Sequence, residues 1–168
     1  MKYSRDRLIQ KALREWLDIS YWKAPCSLTL TMKQYRREWS GSRPVTIFLS
    51  TSIASQNLRH FLNLLNRRLM TRSEFRKGRR LFVFPTLEGG DRKRLHYHLT
   101  IDRPPNVTLG EFSDEIEREW SKTHWGDRRI ELKTADNGWV NYMTKLADKP
   151  VFSDSFDWDN ANLPDPIR

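Results

Sequence analysis

The sequence predicts an α+β domain of the ferredoxin-like (RRM-like) kind, a central antiparallel β-sheet with helices packed mainly on one face. Three observations carry this. Stretches with the two-residue alternation of strands are interleaved with stretches of helical apolar period. The strand patterns at 81–87 and 95–101 are separated by turn residues, as an antiparallel hairpin requires. With 168 residues the chain can bury a core without disulfide or metal support.

Leu8, Ile9, Ala12, Leu13, Trp16 and Leu17 recur at helical spacing, so an amphipathic helix is expected over about residues 5–18. Pro25 breaks the chain, and Ser27–Met32 (SLTLTM) alternates Leu and Thr as a half-buried strand does. Residues 43–52 read two ways, with Val45–Leu49 as a short strand and Ser52 as a cap for the next helix. Leu58, Phe61, Leu62, Leu65 and Leu69 place that second helix over Ile53–Met70, ending near Arg67, Arg68 and Arg72. Leu81–Leu87 (LFVFPTL) is a strand that Pro85 assigns to an edge or a bulge, and Gly89, Gly90 and Asp91 turn it into Leu95–Ile101 (LHYHLTI). After Pro104 and Pro105, Phe112, Ile116 and Trp120 mark a third helix over about Leu109–Thr123. Arg128–Lys133 is a short strand, and Trp139–Leu146 is a fourth helix after an Asn137-Gly138 turn. From Asp148 onward, five aspartates (148, 154, 157, 159 and 165) and three prolines stand against Lys149 and Arg168, the composition of a loosely ordered acidic tail. The expected division is an N-terminal helical extension (1–24), a main domain (25–149) and the tail (150–168).

Thirty Lys and Arg against 21 Asp and Glu leave a formal charge of +9, which points to an acidic partner, nucleic acid above all for an aromatic-rich domain. The single cysteine, Cys26, excludes an intramolecular disulfide framework and a Cys-rich zinc site. No apolar run approaches the ~18 residues of a membrane span, and the start MKYSRDRLIQKALREW lacks the apolar core of a secretory signal, so a soluble, cytoplasmic protein is expected.

Two constellations carry chemistry. On a strand, His96 and His98 project from one face while Tyr97 points to the other, and Glu88 on the preceding strand can fall beside them in register. A His-X-His pair alone is ordinary surface decoration; the carboxylate makes it a site of two imidazoles and one carboxylate with positions open to substrate. Such a set accepts Mg, Mn or Zn, and a phosphate substrate favours Mg or Mn. The second constellation is Tyr142 and Lys145, three apart and so on one helical face. A tyrosine that attacks phosphorus stores the energy of the cleaved bond in a phosphotyrosyl link. Tyr and Lys at this spacing are common, and Tyr3, Tyr21, Tyr35 and Tyr97 compete, although Tyr97 faces away from the histidines.

Together these residues resemble the His-hydrophobe-His (HUH) endonucleases, in particular the rolling-circle replication initiator (Rep) proteins of small plasmids, phages and single-stranded DNA viruses. Ser27–Lys33 (SLTLTMK) is similar to the family's first strand motif, LHYHLTI to its metal motif and YMTK (142–145) to its Tyr-x-x-Lys helix, in the family's order and over about residues 27–149. The resemblance implies an HUH-type fold in which Glu88, His96 and His98 hold a divalent metal, Mg²⁺ or Mn²⁺, Tyr142 is the nucleophile and Lys145 assists. It implies a metal-dependent, sequence-specific single-stranded DNA endonuclease and strand transferase that nicks a replication origin, encoded by a plasmid or phage and acting in a bacterial host. Two features depart from the pattern: Tyr97 replaces the usual aliphatic residue, and the first motif lacks an aromatic found in some members. The chain has no room for the helicase domain of the viral members, so a separate helicase and a host polymerase are the implied partners, with single-stranded DNA or an origin hairpin as substrate. The alternatives are a single-tyrosine HUH transposase, which Lys145 disfavours, and a non-catalytic single-stranded nucleic-acid-binding module on the same sheet.

Between residues 67 and 94, ten basic residues face Glu74, Glu88 and Asp91, a net +7. Besides Arg72 these are Arg67, Arg68, Arg76, Lys77, Arg79, Arg80, Arg92, Lys93 and Arg94, the expected phosphate track. Trp22, Tyr35, Trp39 and Trp125 are the expected base-stacking residues, and His60 and His124 are read as structural.

Overall fold

The computed structural model describes residues 2–90, 93–147, 149 and 151–165. Asp91, Arg92, Asp148 and Arg168, named above, lie outside the described residues, as does the side chain of Tyr3. In chain order the elements are α1 (Lys2–Trp16), β1 (Pro25–Met32), β2 (Tyr35–Ser40), β3 (Arg43–Phe48), α2 (Thr51–Leu69), α3 (Arg72–Arg76), β4 (Val83–Gly90), β5 (Lys93–Asp102), α4 (Leu109–Ser121), β6 (Gly126–Thr134) and α5 (Asn137–Met143). The main sheet is antiparallel in the order β4-β5-β1-β6, consistent with a ferredoxin-like fold, and β2 and β3 form a separate two-stranded ribbon.

Alternation on β1 sorts the two faces. Cys26, Leu28, Leu30 and Met32 are buried, while Ser27, Thr29 and Thr31 point the other way and are half-buried. The buried row joins Tyr97, Leu99 and Ile101 of β5 against Leu58, Phe61 and Leu65 of α2 and Phe112, Ile116 and Trp120 of α4. Phe61 meets Trp120 edge-on, with centroids 5.2 Å apart, and locks the two helices to each other.

The other face is partly covered as well, where helices were expected mainly on one. Leu13, Leu17 and Trp22 from the N-terminal segment, Val140 and Met143 from α5, and Phe152 and Phe156 pack on Phe84 of β4 as a second core. Phe84 and Thr86 supply the buried floor that needs this cover. The C-terminal segment is likewise not loose: Asn162 bridges to Val83 and Phe156 to Thr86, so residues 151–165 shield the outer edge of β4. That edge is where Pro85 sits, as expected, its carbonyl accepting from the Asp157 amide at 3.1 Å. Asn137 and Gly138 form the first turn of α5 rather than a turn before it, because the Asp136 side chain caps the helix by accepting from the Trp139 amide.

Two expected stacking residues are corrected here. Trp22 is 7% exposed in the second core and Trp125 is 7% exposed in the main one, so neither ring face is open to a base. Among the described residues no helix is long and apolar enough to cross a membrane.

Candidate metal centre and nucleophile helix

Pairing of β4 with β5 sets Glu88 opposite His96 and Thr86 opposite His98, so strand register alone gathers Glu88, His96 and His98 on one face. Their ligand atoms lie within 4.8 Å of one another. The two Nε2 atoms are 3.1 Å apart, and His98 Nε2 is 3.7 Å from Glu88 Oε2. His96 Nδ1 lies 2.8 Å from the Arg94 carbonyl, which only accepts, so Nδ1 carries the proton and Nε2 presents a lone pair. His98 Nδ1 is 3.0 Å from the Thr29 hydroxyl, which can accept from it and leave the second Nε2 lone pair facing the first. Converging lone pairs beside a carboxylate, each imidazole oriented through its other nitrogen, suit a cation. This donor set therefore fits a divalent metal.

Burial tunes the site in the same direction. His98 is pushed down from its ordinary 6.5 to about 4, first by desolvation and then by repulsion from His96, Lys145 and Lys149, against the opposing pull of Glu88. It is thus neutral and able to ligate at neutral pH. Glu88 is 4% exposed and bracketed by cations, with Lys149 Nζ donating to Oε1 at 2.7 Å and Lys145 Nζ 3.4 Å from Oε2. Lys149 also donates to the Met143 carbonyl at 2.7 Å, tying the end of α5 to the carboxylate. Sequence reasoning passed over Lys149 as a boundary residue; its spacing from Lys145 was the available signal.

Helix α5 brings Tyr142 to the cluster. Trp139 donates from Nε1 to the Leu99 carbonyl at 3.2 Å, anchoring the helix on β5, and its ring stacks on Tyr142 at 5.5 Å. The Tyr142 ring stands nearly perpendicular to His98, centroids 5.2 Å apart, and remains 44% exposed. The helix ends at Met143, yet the Lys145 amide donates to the Tyr142 carbonyl, and Lys145 Nζ comes to 4.0 Å from the Tyr142 ring centroid. The Lys145 ammonium is raised above its ordinary range: desolvation, the largest single influence, lowers it, but Glu88 and the Tyr142 hydroxyl together outweigh it. By contrast Tyr97 is fully buried in the main core, its hydroxyl donating to Asp157 at 2.8 Å and its ionisation pushed up by burial and then by that carboxylate.

Two grooves meet at the histidines. A cleft of about 360 Å³ between α5 and the open side of the sheet is lined by Ser27, Thr29, His98, Glu131, Lys133 and Tyr142. A second, of about 450 Å³, is lined by Thr31, Arg94, His96, Asp127, Arg128 and Arg129. A third cavity, of about 510 Å³, lies apart beside Tyr97, where Asp154, Asp157 and Asp159 outnumber Arg59 in its lining and disfavour a phosphate.

The basic residues expected as a phosphate track separate in space. Arg94 enters the second groove, donating to Asp127 and to the Met32 carbonyl, and Lys93 opens β5 nearby. Arg67, Arg68, Arg76, Lys77, Arg79 and Arg80 lie on α2, on α3 or in the segment leading to β4, toward its Val83 end. That end is five residues from Glu88, about 17 Å along a strand. Arg68 pairs with Glu115 at 2.9 Å, Arg79 with Glu74 at 3.4 Å, and Arg80 stacks 3.9 Å from the Phe75 ring centroid. Arg128 and Arg129, which composition did not single out, line the His96 groove instead; only the pairing of β6 with β1 brings them there.

The family model for replication-associated protein ORF2 matches residues 25–151, a span that holds β1, the Glu88–His96–His98 cluster and the Tyr142–Lys145 pair. No curated protein and no solved structure matches the chain.

Proposed function

The chain belongs to the replication-associated protein ORF2 family, and from that premise we propose that it is an HUH-type, metal-dependent endonuclease and strand transferase that nicks single-stranded DNA at a replication origin. The observation that carries this reading is the stance of Tyr142, its ring 5.2 Å from that of His98 and its helix tied to Glu88 through Lys149. A divalent ion, Mg²⁺ or Mn²⁺, held by Glu88, His96 and His98 would draw charge from the scissile phosphate. Tyr142 Oη attacks phosphorus; an O–P bond forms, the P–O3′ bond breaks, the phenolic proton passes to solvent and the departing 3′ oxygen takes one up. The 5′-phosphate stays on Tyr142 and the free 3′-hydroxyl can prime a polymerase. Attack by an incoming 3′-hydroxyl reverses the balance and rejoins the strand. Lys145, against the Tyr142 ring, offsets the negative charge that develops on the phenolic oxygen. Arg94, Arg128 and Arg129 hold flanking phosphates, an origin hairpin presents the unpaired segment, and a separate helicase unwinds.

Labelled single-stranded oligonucleotides spanning the replicon's origin, incubated with Mn²⁺, test the proposal on a denaturing gel. A protein-sized labelled band that disappears with Tyr142→Phe and with chelator is expected. Undiminished cleavage by Tyr142→Phe would overturn the assignment.

A further inference from the structure

The β2–β3 ribbon leaves the body of the protein directly from the site. Gln34 donates from Nε2 to the Leu95 carbonyl and accepts from the Leu95 amide, at 3.0 and 2.8 Å, so the ribbon's root is fastened to the residue before His96. Gly41, at φ 63°, opens the two-residue turn between Ser40 and Arg43, the conformation that tight hairpins need. Beyond the root the ribbon touches little. Nearly every residue of both strands is exposed, the half-buried exceptions being Arg36, whose guanidinium lies over the Trp125 ring, and Ile47, which packs on the main core.

Register and alternation make Arg36 and Ile47 the inner face and set Tyr35, Arg37, Trp39, Pro44, Thr46 and Phe48 on the outer one. The outer face carries three large rings in water, with Tyr35 58%, Trp39 76% and Phe48 70% exposed. Tyr35 and Phe48 face each other across the strands at 6.5 Å, and Arg37 sits between that pair and Trp39. Residues 33–48 carry Lys33, Arg36, Arg37 and Arg43 against Glu38 alone, a net +3. Exposed rings on a cationic arm match a polyanion that bares its bases. A duplex hides its base faces; a single strand does not.

We propose that the outer face of the β2–β3 ribbon is a stacking platform for unpaired bases of single-stranded DNA, engaging nucleotides beyond the groove of Arg94, Arg128 and Arg129. The inference rests on the nuclease reading only in taking single-stranded DNA as substrate. Trp39→Ala/Phe48→Ala removes two largely exposed rings that belong to neither core, so the fold is retained. The test is fluorescence anisotropy with an end-labelled strand of mixed sequence, about 30 nucleotides long so that it exceeds the roughly 4–16 nucleotides one binding groove covers. The same strand annealed to its complement is measured in parallel. The double variant should bind the single strand about 10- to 100-fold more weakly with an unchanged salt slope, and the duplex no more weakly than the parent does. Arg37→Ala should instead lower the slope of log K against log salt by about 0.7. Unchanged single-strand affinity overturns the proposal, as does an equal loss on duplex. So does a DNA-free shift in sedimentation showing that the rings bury a protein partner. Failure of the nuclease reading shows separately, as a missing Tyr142 adduct with the ribbon's effect on affinity intact.

Discussion

Lys149 Nζ donates to Glu88 Oε1 at 2.7 Å, and the lysine side chain is 0% and the glutamate 4% exposed. Taking two charges out of water costs several kcal/mol each, and their attraction repays that only with good geometry and further hydrogen bonds. Lys149 has such a bond to the Met143 carbonyl. Lys149→Met should therefore destabilise the protein by about 3–5 kcal/mol, since it leaves a buried carboxylate short of a partner. Adding Glu88→Gln should recover part of the loss. Urea unfolding of both singles and the double provides the cycle, and strictly additive losses would mean that the pair is not coupled.

Mn²⁺ should stabilise the protein through the three-ligand cluster even without DNA. At one hundred times the dissociation constant the gain is about 2.7 kcal/mol, or roughly 5–11 °C in melting temperature for a domain of this size. His96→Gln is the clean test, because His96 is only half-buried and its ring holds no buried charge in place. The shift should require at least ten-fold more Mn²⁺ in that variant. An undiminished shift would place the ion elsewhere.

Acid should loosen the fold through His98. Its folded value, about 4, lies below the ordinary 6.5, chiefly because burial disfavours the charged ring, so the unfolded chain takes up the proton first. The associated stability is fully present above pH 6.5, declines as pH falls and is lost below about 4, a span worth on the order of 3 kcal/mol. With chelator present, His98→Asn should flatten the stability profile between those limits. An equally steep decline in the variant would move the acid sensitivity to another group.

The grouping of Glu88, His96 and His98 was legible because strand alternation and one hairpin fix them with little freedom. Tyr142 and Lys145 were legible as a pair, but no periodicity shows that α5 lies over the histidines; Trp139 bonding to Leu99 decides that, and it is a tertiary contact. The ribbon was legible only in part: Val45–Leu49 read as a short strand close to β3, whereas β2 buries almost nothing and so lacks the apolar alternation by which strands are found. The basic run of residues 67–94 does not stay together in space, because runs of charge in sequence follow the chain, whereas Arg94 and Arg129 meet only through the pairing of β1 with both β5 and β6. The aromatic residues of the acidic C-terminal segment, Phe152 and Phe156, outweighed its charge and folded it back onto Phe84.

Helix α1 lies before the family-matched span of residues 25–151, yet it holds the helix that carries Tyr142. Arg14 donates from Nε to the Thr144 hydroxyl at 2.9 Å and from Nη2 to the Asn141 carbonyl, while Gln10 donates to the Thr144 carbonyl at 2.7 Å. Thr144 is the C-cap of α5, so these bonds fix the end of a helix only two turns long. Leu13 and Leu17 close the apolar side against Val140 and Met143. The two roles separate by mutation. Leu13→Ala opens a core cavity and should cost about 2–5 kcal/mol of stability. Arg14 is exposed and belongs to neither core, so Arg14→Ala removes its hydrogen bonds but leaves the packing intact and the protein folded. A displacement of about 1 Å in a reacting group can slow chemistry about a hundred-fold. Arg14→Ala should accordingly form the tyrosyl adduct about ten-fold more slowly at saturating DNA, with DNA affinity unchanged. Single-turnover rates on a labelled origin strand measure this directly. An unaltered rate would reduce α1 to a lid over the second core, whereas a slowed one makes the N-terminal helix part of what aims the nucleophile.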